Sequence, residues 1–398
     1  MNLYIIPNQT INIIIYKKTI KIEKWGKSQM FFRFLSKQAK LCVNYCVAVQ
    51  KGQSVLIQGS AETIPLINEI YREVLRAGGH PVTNIMVPGQ EYIFYNEAQD
   101  HQLDYSNPFD LYYIKNFDIA IRIRGLTNTR ELSNIDPEKI QRAQIAQMEF
   151  WKTFFERQGT GELKWIVMPY PTIGMAQEAS MSIEEFADLI EKTCLLDKDD
   201  PIAEWQAVSR KQQKFCDFLE KVDEIHIIGK GTGTDITLSV KGRKWENCDG
   251  KKNLPDGEVF TGPVEDSING TITFSFPGIY QSREIEDIIL TFEKGKVVEA
   301  KAKKGQELLE KILKIPGARR IGELAFATNY NMERFVKNML FDEKIGGTIH
   351  MALGNGWPET GSKNRSAIHW DCLCDMREEG QIFADGKLIY EKGKFLIT

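Results

Sequence analysis

Five histidines in 398 residues are few enough to weigh one at a time. His369 stands in Ser366-Ala367-Ile368-His369-Trp370-Asp371, a run that predicts a strand, and residues i and i+2 of a strand share a face. Its imidazole and the Asp371 carboxylate are therefore expected side by side, about 7 Å apart along the chain. Converging side chains let a divalent metal bridge that span. His350 closes a second strand-like run, 347–350. Two histidines and an aspartate make a nitrogen–oxygen donor set for zinc, cobalt, manganese or iron. On composition alone a structural hydrogen-bonded pair is as good a reading. The remaining histidines carry less. His80 follows the helix-stopping Gly78-Gly79, and His101 lies in the polar stretch 97–104. His226 alternates with Ile225 and Ile227 in a strand, with Glu224 as its expected structural partner.

Two glutamates strengthen the metal reading. Glu258 follows a turn in Asn253-Leu254-Pro255-Asp256-Gly257-Glu258-Val259-Phe260-Thr261. Glu323 is embedded among apolar and small residues in Ile321-Gly322-Glu323-Leu324-Ala325-Phe326. A carboxylate in apolar company is buried only with a partner.

Taken in order, Asn253–Thr261, Ile321–Leu324, His-Met-Ala-Leu-Gly at 350–354 and Asn-x-Ser-Ala-Ile-His-Trp-Asp at 364–371 resemble the thermophilic metallo-aminopeptidase family, of the aminopeptidase T and aminopeptidase S kind. The likeness runs from about Lys51 to the C-terminus and is densest after residue 229. It implies two neighbouring divalent ions, zinc or cobalt first and manganese or iron as alternatives, held by Glu258, Glu323, His350, His369 and Asp371. Three carboxylates against two such ions leave +1, which one hydroxide neutralises, whereas a lone ion would strand a carboxylate. The resemblance also implies release of N-terminal amino acids from peptides by a two-metal-activated water. Glu323, or Glu343 of the Phe341-Asp342-Glu343 run, is then expected to shuttle the proton. A homodimer is implied as well. Seven residues beyond the first histidine the family usually has a catalytic tyrosine, where this chain has Trp357. An indole donates one hydrogen bond and neither accepts nor ionises, so it stands in for an oxyanion donor only if its N–H aims there. A rival function is a single-iron ring-opening dioxygenase of related fold, using His350, His369 and Asp371. A third is a binding homologue that has lost turnover.

Around these residues the chain reads as an α/β protein, with an N-terminal open, mainly parallel α/β domain (31–222) and a β-rich α+β metal-binding domain (223–398). The first part alternates strands near 54–58, 82–87, 117–123 and 165–168 with helices at 31–49, 64–76 and 201–222. An N-cap at Asp136 and a capping box at Ser182–Glu185 mark further helices. In the second part strands are expected at 224–228, 235–240, 270–276, 288–292 and 297–301, with helices at 306–313 and 330–339. Gly229-Lys230-Gly231-Thr232-Gly233 lacks the phosphate-loop ending and precedes a strand, so it reads as a hairpin turn. Residues 1–30 form an isoleucine- and lysine-rich extension without a secretory cleavage site, and the helix opening at Met30 predicts translation from there.

A net charge of −3, from 51 basic and 54 acidic side chains, leaves no bulk field for nucleic acid. The longest apolar stretch is far short of the roughly 20 residues a bilayer needs, so no membrane partner is expected. Seven cysteines, an odd count in a long chain, suit a reducing, cytoplasmic setting. Cys42 and Cys46 are read as one buried helix face, and Cys372 and Cys374 as sharing a strand face.

Overall fold

The computed structural model describes residues 33–281 and 283–397, together with two short strands, Asn12–Ile15 and Lys18–Lys21, that pair with each other. The expected start at Met30 lies outside the described residues.

Four strands, Ser54–Ser60, His80–Met86, Ile119–Arg124 and Lys164–Pro169, form a wholly parallel sheet. The second strand lies on one side of the first, and the third and fourth lie on the other. The winding therefore reverses between Ser54–Ser60 and Ile119–Arg124, and ligands of such sheets bind at the strand carboxyl ends beside that reversal. Helix Ile64–Arg76 turns Leu66, Ile67, Ile70 and Val74 onto the sheet. The expected caps form. Asp136 accepts from the Glu138 amide at 2.9 Å, and Ser182 and Glu185 cap each other's backbone amides. The first described helix, Leu35–Leu41, loosens into a π-helical turn over Cys42–Cys46, with both cysteines buried.

The second half is antiparallel. Eight strands run in the order Lys296–Lys301, Ile288–Glu293, Asn269–Phe274, Thr234–Ser239, Glu224–Gly229, Gly380–Ala384, Lys387–Glu391 and Lys394–Phe395. Five more run His369–Asp375, Thr348–Gly354, Ile321–Ala327, Glu258–Thr261 and Glu246–Cys248. Ile236, Phe274 and Leu290 of the larger sheet share one core with Leu324, Phe326, Met351 and Leu353 of the smaller. Gly229 and Thr234 close a hairpin, as expected for a turn rather than a phosphate loop. His226 is paired, but with Asp235 across that hairpin at 2.7 Å rather than with Glu224. Cys372 and Cys374 point into the core, and all seven cysteines are free.

The helix expected over 330–339 does not form; only Met339–Asp342 is helical. Side chains take the amides a helix would need. Asn329 accepts from the Asn331 amide at 3.2 Å, and Asp342 accepts from the amides of Val336 and Asn338 at 2.7 Å. His101 sits on a short helix, Asp100–Leu103, and is exposed. No helix among the described residues is long and apolar enough to cross a membrane.

Edge strand Lys164–Pro169 joins the two halves. Val167 exchanges backbone hydrogen bonds with Lys252 (3.0 Å) and Leu254 (2.9 Å), in the loop that leads into Glu258.

Candidate metal centre

One face of the five-stranded sheet carries every expected ligand. Strands Ile321–Ala327 and Thr348–Gly354 are buried along their whole length, so alternation divides residues between two interiors rather than between core and water. Leu324, Phe326, Met351 and Leu353 go to the core. Glu323 and His350 go to the other face.

The registers explain how so many polar groups fit. Glu258 lies opposite Ala327, His350 opposite Ala325, and His369 opposite Gly354. Glu323 and Asp371 flank Ala352 from its two neighbouring strands. Each ligand candidate therefore faces an alanine or a glycine across the sheet, and the missing side-chain volume leaves space between the donors.

Within that space the His350 Nε2 lies 3.2 Å from Glu323 Oε1 and 3.4 Å from Glu258 Oε2. The His369 Nε2 lies 3.4 Å from Glu323 Oε2 and 3.5 Å from Asp371 Oδ1. Glu323 thus turns one oxygen to each imidazole. Donor atoms of Glu343, His350 and Asp371 also lie within 4.8 Å of one another. His369 keeps 25% of its side-chain surface exposed, so the cluster opens on its side.

The His369 Nδ1 is 2.8 Å from the Asn355 carbonyl. Donating there fixes the tautomer and leaves Nε2 free as a ligand. The close approach depends on Gly322, where a Cβ would stand 2.3 Å from that same carbonyl oxygen. The Ile-Gly-Glu run thereby supplies both a donor and the clearance that orients another.

The charges are unbalanced without a cation. Burial opposes a charged His350, yet Glu258, Glu323 and Asp371 outweigh it and raise the imidazole to about 9. His369 is held well above its usual range by Asp371 and Glu323, again against burial. Despite its burial, Glu323 is held well below the usual carboxylate range by the two imidazoles. Glu343 moves up to about 7 through burial, with Lys344 opposing and Glu258 and Asp371 reinforcing. Glu258 Oε2 and Asp371 Oδ1 are buried without a hydrogen-bond partner. Orphan acceptors beside imidazoles suit divalent zinc, cobalt or manganese, so these residues fit a metal site.

Trp357 donates its indole N–H to Glu323 Oε2 at 2.5 Å and sets its ring edge-on to His369. The N–H is therefore committed to the carboxylate rather than free for an oxyanion.

Four neighbours were not anticipated. Lys344, with 1% of its side chain exposed, pairs with Glu258, with Glu343 at 2.9 Å and with Asp256 at 3.4 Å. Burial would lower its pKa, but these acids hold it well above the usual range. Cys248 lies with Asp256 and Glu258 in a further group of close donors. Asn355 completes the set. The only available signals were Lys344 following Glu343 and Asp256 standing two residues before Glu258.

A face of convergent imidazoles and carboxylates with orphan acceptors, built on an antiparallel sheet beside a parallel α/β layer, defines the metal-dependent peptidase class. The chain belongs to the family described as thermophilic metalloprotease (M29), which matches residues 32–395. It is 25% identical to Aminopeptidase 2 of Geobacillus stearothermophilus, with 92% of this chain and 96% of that one covered. It is 27% identical to Aminopeptidase T of Thermus thermophilus, with 91% and 96% covered. The solved structure of wild-type AmpT from Thermus thermophilus superposes with a TM-score of 0.80 at 24% identity, over 92% of this chain and 99% of that one.

Proposed function

We propose that the protein is a metallo-aminopeptidase that binds two divalent ions, zinc or cobalt first, and releases the N-terminal residue of a peptide. The observation that carries this reading is the division of Glu323, one oxygen toward His350 and one toward His369. A carboxylate so placed would serve both a Glu258–His350 group and a His369–Asp371 group of donors. When bound, ions there supply Lewis acidity toward the scissile carbonyl and lower the pKa of water.

The chain's own residues supply the rest. Glu323 is occupied on both oxygens, which leaves Glu343 as the proton carrier. Its raised pKa, about 7, suits a group that takes a proton from water and returns it to the leaving amine near neutrality. Lys344 holds Glu343 and Glu258 in place, and Trp357 fixes the second oxygen of Glu323. Four carboxylates within one cluster exceed what a single iron would need, which weighs against ring-opening oxygenase chemistry.

A cytoplasmic homodimer completes the reading. Val82, Ile85 and Met86 lie exposed on edge strand His80–Met86, which favours association, and the free cysteines suit a reducing compartment. Metal analysis with an aminoacyl-p-nitroanilide assay under added cobalt or zinc tests the proposal. Close to two ions per chain with turnover is expected, while one iron with oxygen uptake would refute it. Light scattering checks the dimer.

A further inference from the structure

A cavity of about 510 Å³ lies between the parallel sheet and the metal-bearing half, with Glu343 in its wall. Its size is that of a small-ligand site, enough for a short peptide and too small for a folded chain end. From the sheet come Arg124, at the carboxyl end of strand Ile119–Arg124 beside the winding reversal, and Trp165 and Val167 on the next strand.

Two of the three cationic side chains in the wall are already neutralised. Arg130 is engaged by Glu178 and Glu284, and Lys337 pairs with Glu284 at 2.8 Å. Arg124 differs. No carboxylate lies within ion-pairing distance of it among the described residues, although Glu91 is near enough to act through its field. Its side chain is exposed to the cavity, where the enclosing protein, then Arg122, lowers its pKa to about 10. A guanidinium that opens onto a cavity and has no carboxylate partner favours an incoming anion, and its planar fork matches a carboxylate.

We propose that Arg124 binds the free C-terminal carboxylate of short peptides whose N-terminal residue lies at the metal cluster. This rests on the aminopeptidase reading and narrows it to a substrate class: di- to tetrapeptides, which span about 7 to 14 Å when extended. Glu343 and Arg124 both line that one cavity, and would serve the scissile bond and the tail respectively.

The test compares kcat and KM for Leu-Gly-Gly, its C-terminal amide and leucine p-nitroanilide, in the wild type, Arg124→Met and Arg124→Lys. Wild type should prefer the free acid over the amide by about 10- to 100-fold in kcat/KM, mostly through KM, as expected for a charge-assisted contact. Arg124→Met should bring that ratio near one, and Arg124→Lys should retain part of it, having the charge without the fork. Anilide turnover with no wild-type preference for the acid, or a preference that survives in Arg124→Met, overturns the inference alone. A metal-loaded wild type that hydrolyses none of the three overturns the aminopeptidase reading and the inference with it.

Discussion

The two faces of the five-stranded sheet are built from the same strands, one sealed and one opening beside His369, and they do opposite things. On one, Leu324, Phe326, Met351 and Leu353 interlock with the larger sheet. On the other, ligand candidates alternate with Ala325, Ala327, Ala352 and Gly354, and volume is withheld. The period of two lets a single stretch of chain be core and site at once. The packed face provides the rigidity that a crowded set of buried charges requires.

The largest effect expected on the ligand face is that of Glu323→Gln. It leaves the core face untouched, so cooperative unfolding should persist, while bound metal falls and kcat/KM drops by about 10⁴ or more. A fully active variant would remove Glu323 from the mechanism. Glu343→Gln sharpens the distinction between ligand and proton carrier: about 10²- to 10⁴-fold lower kcat with metal content retained.

Lys344→Met comes next. It strands Glu258, Glu343 and Asp256 without their buried cation and should cost about 3–5 kcal/mol in denaturant unfolding of the metal-free protein. Adding Glu258→Gln should recover part of that loss, the signature of a coupled pair in a double-mutant cycle. A near-neutral Lys344→Met would mean that the acids are protonated and need no counter-charge.

The same contrast explains what was legible before the structure. His369 and Asp371 were legible because a two-residue spacing on a strand dictates a shared face. Glu258, Glu323 and His350 were legible because short motifs surround them. Lys344 was not: a lysine is buried only when distant acids pack around it, and that arrangement exists only after Glu258 and Glu343 converge. The small residues opposite the ligands stood in plain view but had no meaning without the register. In the fold, strands and capped helices of the parallel layer followed their local signals. The 330–338 segment did not, because Asn329 and Asp342 satisfy its amides through side chains.

Adjacent substitutions on one strand test the division between faces directly. Met351 is fully buried on the core side, so Met351→Ala should cost about 2–5 kcal/mol while metal affinity stays near wild type. Its neighbour Ala352 sits in register between Glu323 and Asp371, and Ala352→Val should crowd both carboxylates. There a loss of about 10- to 100-fold in metal affinity is expected with little change in unfolding. Calorimetry of both variants with and without added zinc separates the outcomes; equal effects on both measures would show that the faces are not independent.

The smallest expected effect comes from the charge balance of the ligand face and is seen only in chelator-stripped protein. His350 has its pKa raised from 6.5 in an unstructured chain to about 9 in the fold, against burial and by the surrounding acids. A base raised in the folded state contributes stability that is fully present below the unfolded value and is lost as pH climbs through the folded one. His369, raised in the same direction by Asp371 and Glu323, adds to the loss. The metal-free protein should therefore lose several degrees of Tm between about pH 6.5 and 9. Saturating zinc should flatten that slope, because the ions replace the protons as counter-charge and binding releases those protons. The apolar face carries no such titration, so Met351→Ala should lower the whole curve without changing its pH dependence. A metal-free protein whose Tm is level across this window would show that His350 is neutral in the empty cluster, and that the acids around it already hold protons of their own.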